Sequence, residues 1–523
     1  MKHIEIYDTT LRDGSQTEGI SYSVVDKIAI AEKLDDFGIH YIEGGWPFSN
    51  PKDLALFDHF RKNPLKRSRL TPFGSTAHPA NPASKDKNLK ALLAAETEYV
   101  TIFGKTWDLH VRDALRISLD ANLTLIEESV RVLTKQGRKV FYDAEHFFDG
   151  YKHNPQYALK TIQAALHGGC TLVVFCDTNG GTITRDIRAI VTEVKTKLGM
   201  DAFGIHCHND TGLAIANSVA MVGEGCVHIQ GTINGYGERC GNADLVPIMG
   251  ILQVKMGQDI VSAKKMEALT ELSYFVSEVS NVVHSNGQPF VGKSAFAHKG
   301  GIHIDAVVKN PVCYEHTEPH LVGNRRRFLV SELAGKSTLV VKAKDLSFDL
   351  DKKSPRAKKL HTLIQSLEKK GYQFEAAEAS FELLLKREFK KYKKFFDLLG
   401  FRVIVEKRED NTLISEATVK LKVKGALKHT AAEGDGPVNA LDNALRKALE
   451  GVFPSLAQMH LTDFKVRVLD AEEGTAAQVR VLIQSQDEAD TWTTVGVSEN
   501  IIEASYNALV DSIEYKLLKT TKK

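Results

Sequence analysis

Nowhere in the 523 residues do about 18 apolar residues follow one another, so no segment is expected to cross a membrane as a helix. A basic excess is missing too. Lys and Arg number 68 against 66 Asp and Glu, whereas a dedicated nucleic-acid binder concentrates positive charge. Cysteine is sparse and unpatterned: Cys170, Cys176, Cys207, Cys226, Cys240 and Cys313 show no CxxC spacing. That speaks against zinc ligands and disulfide staples, and the expectation is buried free thiols in a reducing compartment. No charged-then-apolar leader precedes the strand-like HIEIYD, so cytoplasmic residence is expected. What is present is ordinary globular composition, 43% hydrophobic and 26% charged, in a chain long enough for two or three domains.

One unit recurs through residues 1–256: a short β-branched run, a polar loop, then a helical pattern. The strand candidates are Ile4–Asp8, Tyr41–Gly45, Leu70–Gly74, Tyr99–Phe103, Val140–Asp143, Leu172–Asp177, Phe203–Cys207 and Val227–Ile233. Amphipathic helices such as Val24–Phe37 and Leu123–Gln136 separate them. Eight unbroken alternations predict a closed TIM (β/α)8 barrel rather than a doubly wound sheet. Residues 257–400 read as mainly helical, with helices through Leu399, and residues 401–523 as an α+β module. In that module Ala417–Val423 precedes PVNALDNAL (Pro437–Leu445), and Gln478–Ile483 with Trp492–Val497 precedes IIEASYNAL (Ile501–Leu509), a weak βα repeat.

Catalytic groups of such a barrel sit at the C-terminal strand ends, and ionisable residues gather there. Asp8 runs into Arg12-Asp13, strand 2 carries Glu43, strand 5 ends near Asp143 and Glu145, and strand 6 leads to Thr178. Strand 7 ends in His206-Cys207-His208, and strand 8 leads to Glu238, Arg239 and Asn242. Residues i and i+2 of a strand share a face, so His206 and His208 can bind one ion. A lone HxH is more often solvated, but beside Asp13, with Asn242 offering an amide oxygen, the set suits a divalent cation. Arg12 is either a surface ion pair or a fixed cation for a developing oxyanion. Glu145 either supports a hydrogen-bond network or orients a base, a water or Arg12. Thr178 is either a turn residue or a donor to a substrate carboxylate. His303 and Asp305, in GGIHID, read alone as ordinary loop residues.

Three motifs are declined. GYGERCG (Gly235–Gly241) is not the dinucleotide fingerprint, and AGKST (Ala334–Thr338) has Val330 where a P-loop needs its first glycine. KREFKKYKKFF (Lys386–Phe396) is read as a solvated helix face with its Phe residues turned inward, not as a nucleic-acid patch.

At DTTLRDGSQTEG (Asp8–Gly19), HCHNDTGLAIANS (His206–Ser218), NGYGERCGNADL (Asn234–Leu245) and AFAHKGGIHIDAV (Ala295–Val307) the chain resembles the acyl-CoA-condensing TIM-barrel enzymes, the isopropylmalate, homocitrate and citramalate synthases. Glu18–Asp53 is most similar to the citramalate branch. EGDGPVNALDNAL (Glu433–Leu445) and GVSENIIEASYNALVDSIEY (Gly496–Tyr515) resemble the family's effector-binding domain. The resemblance implies a divalent metal (Mg, Mn, Zn or Co) on Asp13, His206 and His208, with Asn242 near or in its coordination sphere. It implies acetyl-CoA as co-substrate, a 2-oxo acid as acceptor, a possible isoleucine effector and a homodimer. It makes Arg12 the stabiliser of the enolate or keto oxygen, Glu145 the partner of catalytic groups, and Thr178 the carboxylate binder. His303 becomes the base, Asp305 follows at family spacing as a substrate contact, and Tyr314 lies over the active site, in a linker covering the partner's barrel. An acyl-CoA lyase or a decayed barrel is the competing class. The long C-terminal module and the intact polar set speak against both.

Overall fold

The computed structural model describes residues 3–330, 336–469 and 477–520. They fall into two compact units: residues to Phe296 with His316–Arg326, and Ala297–Glu315 with the chain from Arg327 on. Of the P-loop-like AGKST, Ala334 and Gly335 lie outside the described residues.

In the first unit eight parallel strands close into one barrel. They are β1 (Glu5–Asp8), β2 (Tyr41–Gly45), β3 (Arg69–Ser75), β4 (Tyr99–Lys105), β5 (Lys139–Glu145), β6 (Leu172–Asp177), β7 (Phe203–Cys207) and β8 (Cys226–Gly231). Closure pairs β8 with β1, Tyr7 opposite Gln230 and Asp8 opposite Gly231. All eight expected strands are present. Strands β4 and β5 run two residues further than expected, so Lys105 and Glu145 are strand residues. Helix Val24–Phe37 starts at a capping box, where Ser23 accepts from Asp26 N and Asp26 accepts from Ser23 N, and stops at Gly38 with φ +105°. Its Ile30, Ala31 and Leu34 are buried in the core. Helix Leu269–Val279, beyond residue 256, also belongs to this unit.

The barrel interior explains where the chemistry sits. Inward side chains recur every second residue. Tyr7, Tyr41, Tyr99 and Phe141 form a buried aromatic cluster, with His228 4.8 Å from Phe141 and 5.1 Å from Tyr7, ring centre to ring centre. Such ring pairs contribute about 0.5–1.5 kcal/mol each beyond the area they bury. Two residues further along β2, β4, β5 and β8 stand Glu43, Thr101, Asp143 and Gln230, all buried. This layer is polar where a barrel of this kind is ordinarily filled by Val, Ile and Leu.

At the opposite end His40 accepts a hydrogen bond from Ile6 N at 3.0 Å, and burial first, then His3 and Arg69, push it from 6.5 down to about 4. The folded chain therefore prefers neutral His40. The stability this gives is present above pH 6.5 and is lost as pH falls toward 4. Between pH 7 and pH 5 the parent is expected to lose about 2 kcal/mol more unfolding free energy than His40→Phe. Equal losses in denaturant titrations at the two pH values contradict this.

The second unit carries two three-stranded antiparallel sheets. Phe396–Lys407, Leu413–Val423 and Ala426–Gly434 precede helix Pro437–Leu449, and His460–Val468, Val479–Gln486 and Thr491–Ser498 precede helix Ile501–Thr520. Ala440, Leu441 and Leu445 of one helix and Ala504, Ala508 and Leu509 of the other are buried in a common core with Val419 and Val481. The expected repeat is thus a βββα repeat. Two expectations are corrected. The helical run stops at Glu388 and a strand starts at Phe396, so Lys386–Phe396 is no continuous helix face, although Phe395 and Phe396 are buried. The cysteines are free thiols, but Cys240 and Cys313 are exposed. No helix among the described residues is long and apolar enough to cross a membrane.

Candidate active site

The loop after β1 folds back over the barrel mouth: Arg12 N and Gly14 N both donate to Thr9 O, and Thr9 N donates to Gly231 O of β8. This tight return sets Arg12 and Asp13 above the polar layer. The Arg12 guanidinium is shared between two carboxylates, Asp13 through Nη1 and Glu43 through Nε. Glu43 is held from the other side by the Tyr7 hydroxyl, which donates at 2.6 Å, and Thr9 Oγ1 donates to Asp13 at 2.6 Å. The guanidinium carbon also lies 3.7 Å from the centre of the Phe73 ring, a cation–π contact. Burial works against the Arg12 charge, but Asp13 and Glu43 outweigh it and raise its pKa. Burial raises Glu43, only partly offset by Arg12. It also pushes Asp13 up, yet Arg12, His206, His208 and the Thr9 hydrogen bond outweigh burial and hold it below the usual carboxylate range.

Beyond β7 the chain pairs with the segment after β8. Asn209 N donates to Gly241 O and Ala243 N to Cys207 O, both at 2.9 Å, and His208 bridges to Asn242. Asn242 is thereby fixed beside the two histidines. Its Nδ2 lies 3.1 Å from His206 Nε2 and 3.4 Å from Asp13 Oδ2. His206 Nε2 is 3.6 Å from the same Asp13 oxygen, and the His206 and His208 ring centres are 5.3 Å apart. Gly237 makes room for this amide, since a Cβ there would stand 2.0 Å from Asn242 Oδ1. Asp13, His206, His208 and Asn242 are all buried. Among the described residues no group of three or more His, Cys, Asp or Glu side chains is placed so as to hold a metal ion.

The chemistry of this set nevertheless fits a divalent cation. Burial lowers His206, and it lowers His208 to about 3, so both rings are neutral at pH 7, the form that ligates a metal. Asp13 is the accompanying anion. Two buried atoms of the set, His208 Nδ1 and Asn242 Oδ1, have no hydrogen-bond partner. The amide nitrogen of Asn242, not its orphaned oxygen, faces His206 and Asp13, so the amide would have to turn over for its oxygen to serve a cation held by the other three.

A cavity of about 240 Å³ opens above these groups, with Trp46, Phe73 and Phe103 on one wall and Glu145 and Thr178 on another. Phe73 and Phe103 stack at 5.4 Å, and Trp46 stands edge-on to both. Thr178 Oγ1 accepts from His146 N at 2.9 Å, which leaves its own proton to donate, and its carbonyl is held by Arg239. Glu145 does not hold Arg12: its carboxylate pairs with Lys105, and Glu43 takes the place considered for it. His303, Asp305 and Tyr314 belong to the second unit. There the His303 ring stacks on Tyr314 at 4.2 Å, and Asp305 accepts from Lys309 at 2.6 Å and Lys352 at 2.9 Å. Glu43, Lys105, Asp143 and Gln230 were given no role from sequence. The signal for Glu43 and Gln230 was a polar side chain two places beyond an aromatic one, in YIE and HIQ.

Comparison with known proteins agrees with this architecture. The HMGL-like family matches residues 3–276, the homocitrate synthase post-HMGL domain-like family residues 290–371, and the LeuA allosteric (dimerisation) domain residues 375–517. Proteins named (R)-citramalate synthase are similar along the whole chain. That of Aquifex aeolicus is 54% identical, covering 99% of this chain and 98% of its own. That of Geobacter sulfurreducens is 53% identical with the same coverage. That of Synechocystis is 49% identical over 98% of this chain and 96% of its own.

Proposed function

The chain belongs to the HMGL-like family, in one group with the (R)-citramalate synthases, and from that premise we propose that it condenses acetyl-CoA with pyruvate and water to give (R)-citramalate and CoA. The observation that carries the reading is the shared Arg12: a guanidinium fixed by Asp13 and Glu43 over a small aromatic-walled cavity, beside two neutral imidazoles.

In this reading Asp13, His206 and His208 would hold a divalent cation, with Asn242 turning its amide oxygen toward it. When bound, such an ion supplies Lewis-acid polarisation of a keto group, an effect of several kcal/mol. The chain's own residues do the rest. The Thr178 hydroxyl donates to the carboxylate of the 2-oxo acid. A base, His303 or a group coupled to Glu145, takes a methyl proton from the thioester. Arg12 faces the oxygen on which the resulting negative charge develops, and because Asp13 and Glu43 already fix it, little reorganisation is needed as the charge forms. The new carbon–carbon bond joins the acetyl methyl carbon to the keto carbon, and water then cleaves the thioester to release CoA. Trp46, Phe73 and Phe103 line the cavity that would receive the side chain of the 2-oxo acid. We assign residues 1–256 to catalysis, 257–400 to a mainly helical linker that carries His303, Tyr314 and Asp305, and 401–523 to effector binding, in a cytoplasmic homodimer serving isoleucine synthesis.

A thiol-release assay with acetyl-CoA across a panel of 2-oxo acids tests this. Pyruvate is expected to exceed 2-oxoisovalerate by about tenfold or more in kcat/KM, the size of effect one or two methylenes give. Chelator should stop turnover, and isoleucine should inhibit it. A tenfold preference for 2-oxoisovalerate would move the assignment to isopropylmalate synthesis.

A further inference from the structure

Beneath the cavity Gln230 links three buried side chains that the proposed chemistry does not use together. Its Nε2 donates to Asp143 Oδ1 at 3.1 Å and lies 3.4 Å from His228 Nε2. Its Oε1 lies 2.8 Å from His206 Nδ1. Gln230, Asp143, His228 and His206 come from β8, β5, β8 and β7, and all four are buried. A side-chain amide has one donating end and one accepting end, and its neighbours decide which end goes where. Turning Gln230 over would set its carbonyl oxygen against the Asp143 oxygen and its NH2 against His206 Nδ1.

We propose that Asp143 and Gln230 set the tautomer of His206. Burial raises the Asp143 carboxyl well above its usual range, and in this structure its Oδ1 takes the donor end of the amide as the unprotonated oxygen. The Gln230 carbonyl can then only accept a proton from His206 Nδ1, which leaves the Nε2 lone pair directed at Asp13 and Asn242. On the far side of the ring Asn242 Nδ2, 3.1 Å from Nε2, is a donor facing that lone pair, and it lies closer than Asp13 Oδ2, an acceptor at 3.6 Å that opposes it. Asp143 and Gln230 act through His206 and are positioning residues. Their polarity is otherwise costly: each is a hydrogen-bonding group inside a barrel layer that aliphatic side chains ordinarily fill. The inference rests on the proposed cation beside His206 for its consequence, but the tautomer itself exists without metal.

The test uses the full-length, metal-free protein labelled with 15N-histidine. Long-range 1H–15N correlation reads which ring nitrogen carries the proton, and a His206→Gln variant identifies the His206 signals. The parent is expected to show Nδ1–H with Nε2 unprotonated. Asp143→Leu frees the Gln230 amide to turn, and Gln230→Leu removes it. In both, Nε2–H should appear, and Co2+ affinity measured by calorimetry should fall about 10–100-fold. If Asp143→Leu fails to fold, Gln230→Leu decides. Unchanged His206 signals in the folded leucine variants overturn the proposal, even where Co2+ affinity drops, since that drop would then be structural. A parent that shows Nδ1–H but binds no Co2+ sinks the metal reading and leaves the tautomer assignment standing.

Discussion

Asp13→Ala is expected to lower kcat by roughly a thousandfold or more, as loss of an interaction worth about 4 kcal/mol in the transition state does. The carboxylate has two uses at once. One oxygen pairs with Arg12, and the other receives Thr9 and faces His206 Nε2 and Asn242 Nδ2. Without it the two imidazoles lose the anion that would complete a cation site, and Arg12 loses one of two anchors. The fold should survive, because Arg12 keeps Glu43 and so is not left as an unpaired buried charge. Metal readout separates these effects. Saturating Mn2+ at about 100 times Kd should stabilise the parent by about 2.7 kcal/mol and leave Asp13→Ala unmoved. A variant that keeps half its turnover, or that is stabilised by Mn2+ as the parent is, removes Asp13 from the cation site.

The barrel was legible because its strands are short, β-branched and separated by capped helices; Ser23, Asp26 and Gly38 bound the first of these with local chemistry alone. Asp13, His206, His208 and Asn242 were legible for a related reason: each lies at a strand end or in the loop just beyond one. The partners of these residues were harder. Glu43 was visible as a carboxylate in β2, but its pairing with Arg12 depends on how the loop after β1 folds back, a tertiary fact that spacing does not carry. Glu145 stands at the same rim and has the same chemistry, so sequence could not choose between them. Strands Phe396–Lys407, Ala426–Gly434 and His460–Val468 were missed because solvent reaches most of their residues, with Leu399, Leu427 and Val466 exposed. Their core-facing side chains, such as Phe401, Val403, Ala432 and Leu461, are only partly buried, so the alternation by which a strand is recognised is weak.

Glu43→Gln is the sharper probe of how Arg12 is held. The substitution keeps the shape and can still accept from Tyr7, but it removes the charge that shares the guanidinium with Asp13. Arg12 should then turn wholly onto Asp13, drawing that carboxylate away from the imidazoles and the guanidinium away from the developing oxyanion. An interaction made mainly in the transition state lowers kcat and kcat/KM together, so kcat should drop about 100-fold, with KM for pyruvate nearly constant. Burial raises Glu43 while Arg12 opposes the rise, so charge removal costs the fold less than truncation to alanine, which would leave the Tyr7 hydroxyl with only Thr101. A double-mutant cycle with Glu145→Gln then tests the assignment of partners. Glu145 pairs with Lys105 and Glu43 with Arg12, with no shared partner, so their effects on unfolding free energy should add within about 0.5 kcal/mol. Coupling of 1 kcal/mol or more would mean that both carboxylates bear on one cation, and the separation of the Arg12 and Lys105 pairs would have to be given up.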